Sequence, residues 1–311
     1  MSPRVLVTGA TGFVGGQLAR RLTHDGYDVR CLVRDAGKPA ARELAGLGME
    51  LWVGDVTDAA SLRGAGEGVG AAYYLVHAMG RGGTGDFEAR ERHSAEAFAQ
   101  MTRREGVERV LYLGGLGDRP ESKHLRSRHQ TAVILREQGP ALTYFRAGMV
   151  VGSESESYRT LRYLVERLPA MIGPAWLENE TQPIAIADAI SYLVAALDID
   201  ATAGREIQIG GPDVLTYAAM LDRMAAVLGR RPRPRVPVPF ITPWLSSLWI
   251  GLVTPVDAGV ARPLVEGLAV PTVVSDTSGM ALFPGVTPMG LDDALRAAVR
   301  ADREAKGAGR A

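Results

Sequence analysis

The sequence contains very little cysteine, no excess of charge of either sign and no long uninterrupted apolar run. Its single cysteine, Cys31, falls in a predicted strand and excludes an intramolecular disulfide, which fits a reducing cytoplasm. Basic and acidic residues each number 35, so no global charge favours nucleic acid or an anionic membrane. The most apolar stretch, 236–255, is interrupted by four prolines, which argues against a membrane-spanning helix. With no apolar signal stretch at the start, we expect a cytoplasmic protein without a transmembrane segment or nucleic-acid partner.

Several kinds of site are also missing from the sequence. The five histidines show no metal-ligand spacing such as His-Glu-x-x-His, so no metal site is expected. Neither a Gly-x-Ser-x-Gly elbow nor a P-loop lysine occurs. Glycine, by contrast, is abundant, and its placement near the N-terminus is the most informative feature of the chain.

The N-terminal sequence VLVTGATGFVGG runs from an apolar strand through three glycines into a helical pattern. Gly9 permits a tight turn, Gly12 lets backbone amides approach a pyrophosphate, and Gly15 lets the helix pack closely on the sheet. The helix N-terminus offers free N–H groups and a positive dipole end to phosphates. This context predicts a dinucleotide-binding loop. The residues expected to contact the dinucleotide are Gly9, Thr11, Gly12, Phe13, Val14 and Gly15.

Short apolar strands alternate with helical segments over the first 150 residues, a rhythm typical of a parallel α/β sheet. Right-handed crossovers between them would build a doubly wound sheet, with the ligand over the carboxyl ends of the strands. The predicted strands are 4–8, 28–33, 50–53, 71–76, 109–113 and 141–146. The predicted helices are 13–24, 38–47, 58–64, 86–105 and 124–138.

The rhythm breaks after Gly148, and the remaining chain predicts a smaller, mixed lobe. The elements expected there are helices at 157–168, 187–197, 216–228 and 291–304 and a strand at 206–209. We therefore predict an α/β fold, a Rossmann doubly wound parallel sheet with a smaller mixed C-terminal substrate lobe. The Rossmann domain would cover 1–150, with 184–211 returning to it. The lobe would comprise 151–183 and 212–305, followed by a frayed tail at 306–311.

The tip of the second strand bears on the choice of dinucleotide. Sites for NAD place an acidic side chain there to bind the ribose 2′-OH, but this chain has Val33 followed by Arg34, with Lys38 nearby. Two cations suit a 2′-phosphate. Asp35 could instead pair with Arg34 or reach the ribose, or the loop could be merely solvated. On balance the sequence favours NADP(H) over NAD(H).

Further contacts to the dinucleotide are predicted at the next strand ends. Asp55, in the segment GDVTD, would face the adenine amino group or cap the following helix. Val56 would lie beside it. His77 and Ala78, after the fourth strand, would line the ribose and phosphate. For His77, lining the dinucleotide or packing is favoured over acting as a proton donor. Gly148 would close the nicotinamide end.

These residues together resemble the extended and atypical branches of the short-chain dehydrogenase/reductase superfamily. Within it the chain is similar to atypical NAD(P)H-binding proteins, including nitrogen-metabolite-repressor-like proteins and a nucleotide-binding accessory subunit of respiratory complex I. The resemblance covers most of 4–228 and implies a Rossmann fold that binds NAD(P)(H). It is carried by TGATGFVG (8–15), the Arg34 strand tip, GDVTD (54–58), VHAMG (76–80), FRAGMVVG (145–152), QPIAIADAISYLVAALD (182–198) and GREIQIGGPDVLTYAAML (204–221).

The chain departs from the superfamily at the residues that perform the chemistry. Members normally carry a Tyr-x-x-x-Lys pair on the helix after the fifth strand and a Ser or Thr at that strand's end. Here the strand end reads LGGLG (113–117), with His124 in the tyrosine position and Arg128 in the lysine position. His124 could donate a proton, although a neighbouring Arg128 would lower its pKa, and Arg128 could hold the ribose or phosphates. Alternatively the segment is a basic face that binds an anionic substrate, a partner or only water.

Substrate contacts are predicted at Tyr158, Arg162 and Trp244. The first two could line a pocket or lie on an exposed helix face with snorkelling arginines. Trp244 belongs to an apolar segment that could be a lid, core or an interface, a homodimer contact included. A lid would imply an apolar substrate, such as a quinone, isoprenoid, aromatic or acyl-chain carbonyl.

The function favoured by the sequence is that of an NADP(H)-dependent reductase of an apolar carbonyl or activated alkene. The alternative is a non-catalytic NADP(H)-binding redox sensor or assembly protein. A sugar-nucleotide epimerase or dehydratase comes third, because those chemistries depend on the tyrosine and hydroxyl that are absent here.

Overall fold

A computed structural model of the chain describes residues 4–76, 87–117, 123–168, 171–173, 175–237 and 270–308. Its strands are β1 (Arg4–Thr8), β2 (Asp28–Val33), β3 (Glu50–Val53), β4 (Val69–Tyr74), β5 (Arg109–Gly115), β6 (Ala141–Ala147), β7 (Val150–Val151), β8 (Met171–Gly173), β9 (Glu180–Thr181), β10 (Ile184–Ala185), β11 (Glu206–Ile209), β12 (Leu215–Thr216) and β13 (Arg235–Pro237).

The helices lie between these strands and after them. They are α1 (Phe13–His24), α2 (Pro39–Gly46), α3 (Phe87–Arg104), α4 (Lys123–Gln138), α5 (Glu156–Arg167), α6 (Ile186–Ala195), α7 (Tyr217–Val227) and α8 (Leu291–Ala308). Short 3₁₀ turns occur at Ala175–Glu178, Asp200–Thr202 and Met280–Leu282. Among the described helices, none combines the length and the apolar character that a membrane span requires.

A seven-stranded parallel sheet in the order β11-β6-β5-β4-β1-β2-β3 forms the centre of the fold. The strand order reverses between β1 and β4, and such a switch point opens a crevice at the carboxyl ends of the strands. The predicted α/β class and doubly wound parallel sheet are confirmed. The carboxyl ends of β1, β2, β4, β5 and β6 therefore delimit the place where a ligand would lie.

Successive residues of each central strand pack on opposite faces of the sheet, as the period of two requires. Val5 and Val7 join the core formed with α1 and α6, whereas Leu6 joins the core formed with α3 and α4. Residues within 184–209 contribute to the first of these cores, and β11 pairs with β6. A third core lies among α5, α7 and α8, and we refer to these three helices as the smaller lobe. The predicted domain boundaries themselves stay a prediction.

The helix predicted at 58–64 is wrong, because the chain passes through successive turns between β3 and β4. Gly64, the last residue of the predicted helix, and Gly68 beyond it contribute to the difference. Gly64 and Gly68 have φ angles of +85° and +70°, a left-handed conformation that a helix interior does not contain. We refer to residues 54–68 as the β3–β4 loop.

Two buried charged side chains hold the β3–β4 loop in place. The guanidinium of Arg30 donates hydrogen bonds to the carbonyls of residues 64, 65 and 67 and lies 5.2 Å from the centre of the Trp52 ring. The carboxylate of Glu105 accepts from the N–H groups of residues 64 and 66 at 2.9 and 2.7 Å. These bonds satisfy the loop's backbone groups in place of a helix.

Candidate functional site

The glycine loop between β1 and α1 is closely packed at two of its glycines. Gly9 has a φ of +67°, and a Cβ placed on it would lie 2.5 Å from the carbonyl oxygen of Leu75. A Cβ on Gly15 would lie 2.3 Å from the carbonyl oxygen of Gly9. A side chain fits at neither position. The turn and the close helix–sheet packing predicted for these glycines are thus both present.

The N-terminus of α1 begins at this loop with its first-turn amides uncapped by a side chain. Gly12 is the N-cap residue, has extended backbone and donates its own N–H to the carbonyl of Gly9 at 2.9 Å. Thr11 and Gly12 are exposed, and Phe13 and Val14 are half-buried. A helix N-terminus in this state suits a phosphate group. The geometry of the loop is compatible with a dinucleotide, and the contacts predicted for Gly9, Thr11, Gly12, Phe13, Val14 and Gly15 stay predictions.

The tip of β2 presents its cations to solvent. Arg34 and Lys38 are both exposed, and within the described ranges Arg34 forms neither an ion pair nor a hydrogen bond. The carboxylate of Asp35 accepts a hydrogen bond from the N–H of Gly37 at 2.8 Å. Asp35 thus stabilises its own turn rather than pairing with Arg34. The Arg34 guanidinium is exposed, and its contact with a 2′-phosphate stays a prediction.

Asp55 is held in a turn at the carboxyl end of β3. One carboxylate oxygen, Oδ1, accepts hydrogen bonds from the N–H and the hydroxyl of Thr57 at 2.9 and 2.8 Å. The N–H of Asp55 donates to Ser61 Oγ at 2.9 Å. Val56 is buried against the core. Because no helix follows, Asp55 does not act as a helix cap, and its contact with adenine stays a prediction.

The end of β5 lacks the hydroxyl side chain that members of the superfamily carry there. A Cβ on Gly114 would lie 2.8 Å from the hydroxyl oxygen of Tyr144, whose ring covers this glycine. A Cβ on Gly115 would lie 3.7 Å from Nη1 of Arg128 and 3.1 Å from Leu125. Side chains from β6 and α4 thus occupy the space over the two glycines.

Tyr144 belongs to a row of tyrosines that crosses three neighbouring strands in register. Tyr74, Tyr112 and Tyr144 are paired residues of β4, β5 and β6, with ring centres 6.0 and 5.2 Å apart. Burial raises the pKa of Tyr144 to about 12, although the charges of Arg146 and Arg128 oppose the shift. At neutral pH its hydroxyl is a neutral hydrogen-bond donor.

Arg146 fixes the loop that follows β5. Its guanidinium donates to the carbonyls of Gly115 and Gly117 at 3.4 and 2.9 Å and pairs with Glu206 at 2.9 Å. The N–H of Leu116 donates to the carbonyl of Ala147 at 2.8 Å. Neither Tyr144 nor Arg146 is among the residues predicted from the sequence. The two residues are two positions apart on β6, so both lie on the α4 side of the sheet. This spacing was the one sign in the sequence that could have pointed to them.

Helix α4 carries the two residues predicted for catalysis. Arg128 is half-buried and reaches the end of β5, while its backbone carbonyl accepts a hydrogen bond from Tyr112. His124 lies on the same helix one turn earlier, and its side chain is outside the described part of the structure. Ser127 donates to the buried carboxylate of Glu91 on α3, which links α4 to α3.

Other predicted contacts have mixed outcomes. A Cβ on Gly148 would lie 2.4 Å from the carbonyl oxygen of Gln182, so this glycine permits close packing of two backbone segments. His77, Ala78 and Trp244 lie outside the described residues. The roles predicted for all four remain predictions.

Within the described ranges, no group of histidine, cysteine or carboxylate side chains could hold a metal ion.

Tyr158 lies in the core of the smaller lobe, and Arg162 is half-buried on the same helix. Tyr158 is fully buried, and burial raises the pKa of its hydroxyl against the opposing charge of Arg162. Arg162 pairs with Glu166 at 2.8 Å on its own helix and with Asp302 of α8. The two side chains hold α5 against α8, and their contact with substrate stays a prediction.

Comparison with known proteins gives relatives of low identity. A plant relative, the mitochondrial NADH dehydrogenase [ubiquinone] 1 alpha subcomplex subunit 9 of Arabidopsis thaliana, is 27% identical over 75% of this chain. The match spans only 60% of that protein's length. A bacterial relative, the (4-alkanoyl-5-oxo-2,5-dihydrofuran-3-yl)methyl phosphate reductase of Streptomyces griseus, is 28% identical over 73% of this chain and 74% of its own.

Solved structures share the fold across nearly the whole chain. An NADPH-dependent quinone oxidoreductase from Escherichia coli, complexed with NADPH, has a TM-score of 0.70 at 19% identity. The similarity covers 94% of this chain and 98% of that one. The NmrA-like family matches residues 1–176, more than half of the 311 residues. With the Rossmann sheet and the glycine loop in place, the protein belongs to the NmrA-like family.

Proposed function

We propose that the protein is an NADP(H)-dependent reductase of an apolar carbonyl or activated-alkene substrate. The observation that carries this proposal is the glycine loop, where side chains are excluded at Gly9 and Gly15 and the first turn of α1 is uncapped. When bound, the reduced nicotinamide supplies a hydride. The chain's own residues bind the dinucleotide, orient the substrate and provide the proton.

The preference for NADP(H) rests on the exposed tip of β2. Arg34 has a planar fork of donors that matches a phosphate, and Lys38 adds a second positive charge. Because Asp35 bonds to the N–H of Gly37, its carboxylate is directed to the turn rather than to a ribose hydroxyl. A 2′-phosphate bound here would lie beside Arg34 and Lys38. Among the described residues, the guanidinium of Arg34 has no side-chain partner that would compete with it.

The proton source that we propose is His124 or a water molecule that it orders. An imidazole can donate a proton near neutral pH. Arg128, one turn later on α4, would contact the substrate or the nicotinamide ribose. The neutral hydroxyl of Tyr144 lies over Gly114, at the same end of β5.

The substrate class is supported by the relatives. The Streptomyces griseus relative is named for the reduction of a phosphate ester whose 2,5-dihydrofuran ring carries oxo and alkanoyl groups. The Escherichia coli neighbour is named for quinone reduction. Both names describe conjugated carbonyl compounds. A substrate of this class needs less help from a strong acid than an isolated ketone, which suits a site without the tyrosine.

The test is NADPH oxidation across a panel of quinones, enals and ketones. We expect turnover of at least one compound, and we expect His124→Ala to slow that turnover by about 100-fold, the size of a general-acid contribution. His129→Ala, at an exposed position on the same helix, is the matched control and should retain activity. Equal rates in the two variants would remove His124 from the mechanism.

A second candidate is a non-catalytic NADP(H)-binding assembly or sensor protein, favoured by the similarity to the plant complex I subunit. It predicts tight NADPH binding with no turnover of any compound in the panel. It also predicts that His124→Ala leaves the affinity for NADPH unchanged. Calorimetry and the turnover assay on the same preparation separate the two functions.

A further inference from the structure

Arg128 lies beside the end of β5, together with Leu125, where a superfamily member would carry a hydroxyl group. Its Nη1 lies 3.7 Å from the position of a Cβ on Gly115, ordinary van der Waals distance, so the guanidinium lies beside the space of a residue-115 side chain. Both Gly114 and Gly115 lack side chains that could compete with it. A permanent cation therefore replaces a neutral hydroxyl at this strand end.

Among the described residues, no carboxylate forms an ion pair with the guanidinium of Arg128. Its Nε is shielded from solvent and has no hydrogen-bond partner within the same residues. The nearby carboxylates have other partners: Glu91 binds Ser127, and Glu206 binds Arg146 and Arg136. A half-buried guanidinium in this state is suited to an anionic oxygen of a ligand.

We propose that Arg128 binds the oxygen atom on which negative charge develops, and that the substrates are alkenes conjugated to a carbonyl group. This rests on the proposed reductase function. Arginine stays protonated at any working pH and donates hydrogen bonds without giving up a proton. It therefore suits a reaction in which the oxygen carries charge as an enolate and the proton is delivered to carbon. Reduction of an isolated ketone instead requires a proton on oxygen.

The chemistry balances as a conjugate reduction. The β-carbon of the alkene accepts a hydride from NADPH, which is oxidised to NADP⁺. The electron pair of the carbon–carbon double bond forms a new double bond toward the carbonyl carbon, and the carbonyl electron pair moves to oxygen, beside Arg128. The enolate then takes one proton at its α-carbon from His124 or water, which restores the carbonyl.

Isotope placement tests the proposal directly. With NADPH deuterated at both C4 positions and enones paired with their saturated ketones, we expect deuterium on the β-carbon and no reduction of the ketones. Deuterium on the carbinol carbon would overturn the inference and leave the proposed reductase standing. If neither the alkenes nor the ketones consume NADPH, both proposals fail.

Variants of Arg128 test its role. Arg128→Gln should lower kcat for the enone about 100-fold, the usual cost of one oxyanion-binding donor, with NADPH affinity by calorimetry within about threefold of the wild type. Arg128→Lys keeps the charge and should recover part of the rate. Arg136→Gln, on the same helix and paired with Glu206, is the matched control and should leave kcat unchanged. Equal kcat in Arg128→Gln and wild type would contradict the proposal.

A phenol gives a readout that does not depend on turnover. In the NADP⁺ complex we expect the pKa of bound 4-nitrophenol to fall by about one unit, because an adjacent cation stabilises the phenolate. The shift, followed by phenolate absorbance, should disappear in Arg128→Gln. The same titration curve for both proteins overturns the inference, whether or not the phenol binds.

Discussion

At the scale of single residues, glycine governs the site in two different ways. In the first loop it allows backbone to approach backbone, as Gly15 does against the carbonyl of Gly9. At the end of β5 it makes room for side chains from elsewhere, since Tyr144 covers Gly114 and Arg128 reaches Gly115. The first use is predictable from a local motif, and the second depends on which strands become neighbours.

Replacing Gly15 by alanine should disrupt the loop. The new Cβ would lie 2.3 Å from the carbonyl oxygen of Gly9, so we expect destabilisation of about 1–3 kcal/mol and weaker NADPH binding, measured by urea unfolding and calorimetry. Gly46→Ala is the control, because a Cβ there meets nothing within 4 Å. That variant should gain about 0.5–1 kcal/mol from reduced chain entropy. Equal effects of the two changes would contradict the packing argument.

Replacing Arg34 by alanine should weaken NADPH binding about 10–100-fold, because a charge-assisted pair with the 2′-phosphate is lost. The affinity for NADH should not change, since NADH lacks that phosphate. The control is Arg63→Ala, which removes an exposed cation from the β3–β4 loop. Dissociation constants of both nucleotides for the three proteins decide the matter. An equal loss of affinity for NADH would show that Arg34 does not distinguish NADPH from NADH.

The sequence predicted the glycine loop, the positions of Arg34 and Asp55 after β2 and β3, and the placement of Arg128 on α4. Each of these depends on a local motif or a short helical spacing. It did not predict Tyr144 or Arg146. Their roles come from contacts with Gly114, Gly115 and Gly117, about thirty positions earlier in the chain. Such contacts exist only once β5 and β6 pair, and no pattern within either strand announces them.

At the scale of elements, the β3–β4 loop shows how side chains can replace a helix. Burial alone would raise the pKa of Glu105. Hydrogen bonds from Arg104 and from the N–H groups of Gly64 and Gly66 outweigh that effect and hold the pKa below its ordinary value of 4.5. The charged carboxylate therefore stabilises the folded protein at neutral pH. The guanidinium of Arg30 likewise donates hydrogen bonds to three carbonyls of the loop.

Replacing Glu105 by glutamine should lower the free energy of unfolding by about 1–2 kcal/mol at pH 7, because charge-assisted bonds to two amides are weakened. The stabilisation is present above the ordinary pKa and is lost as pH falls through the lower, folded-state pKa. The difference from wild type should therefore shrink below about pH 4 in urea unfolding. Glu108→Gln, at an exposed neighbouring position, is the control. A difference that is independent of pH would refute the charge argument.

Most longer elements could be predicted from periodicity and turn residues. The strands at 4–8, 28–33, 50–53 and 206–209 have the predicted bounds, and α3 begins and ends one residue inside its prediction. The short strands β7 to β10, β12 and β13 were not predicted. With two or three residues each, they carry no measurable periodicity and exist only because distant segments pair with them.

At the scale of the whole molecule, the described residues form cores on both faces of the sheet and a separate core in the smaller lobe. The lobe core is built from α5, α7 and α8. An ion pair between Arg162 and Asp302 links α5 to α8. The N–H of Leu291, the first residue of α8, donates to the carboxylate of Asp213 at 2.7 Å. Local stability can therefore differ between the lobe and the sheet.

Replacing Leu295 by alanine should destabilise the smaller lobe by about 2–5 kcal/mol, since this side chain is fully buried in its core. Hydrogen exchange should accelerate in α5 and α7 and remain slow in β1. Arg300→Ala, exposed on the same helix, should change stability by less than about 0.5 kcal/mol. An equal loss of protection in β1 would show that lobe and sheet unfold as one unit.

The row of tyrosines across β4, β5 and β6 also gives the molecule an optical signature. Tyr112 and Tyr144 stack with their planes 16° apart, and Tyr74 is inclined by 55° to Tyr112. Rings this close couple their electronic transitions and should produce a distinct near-ultraviolet circular dichroism band. A one-residue slip in strand pairing would turn one ring to the opposite face of the sheet. The band would then vanish, so the spectrum would report the alignment of the three strands beneath the site.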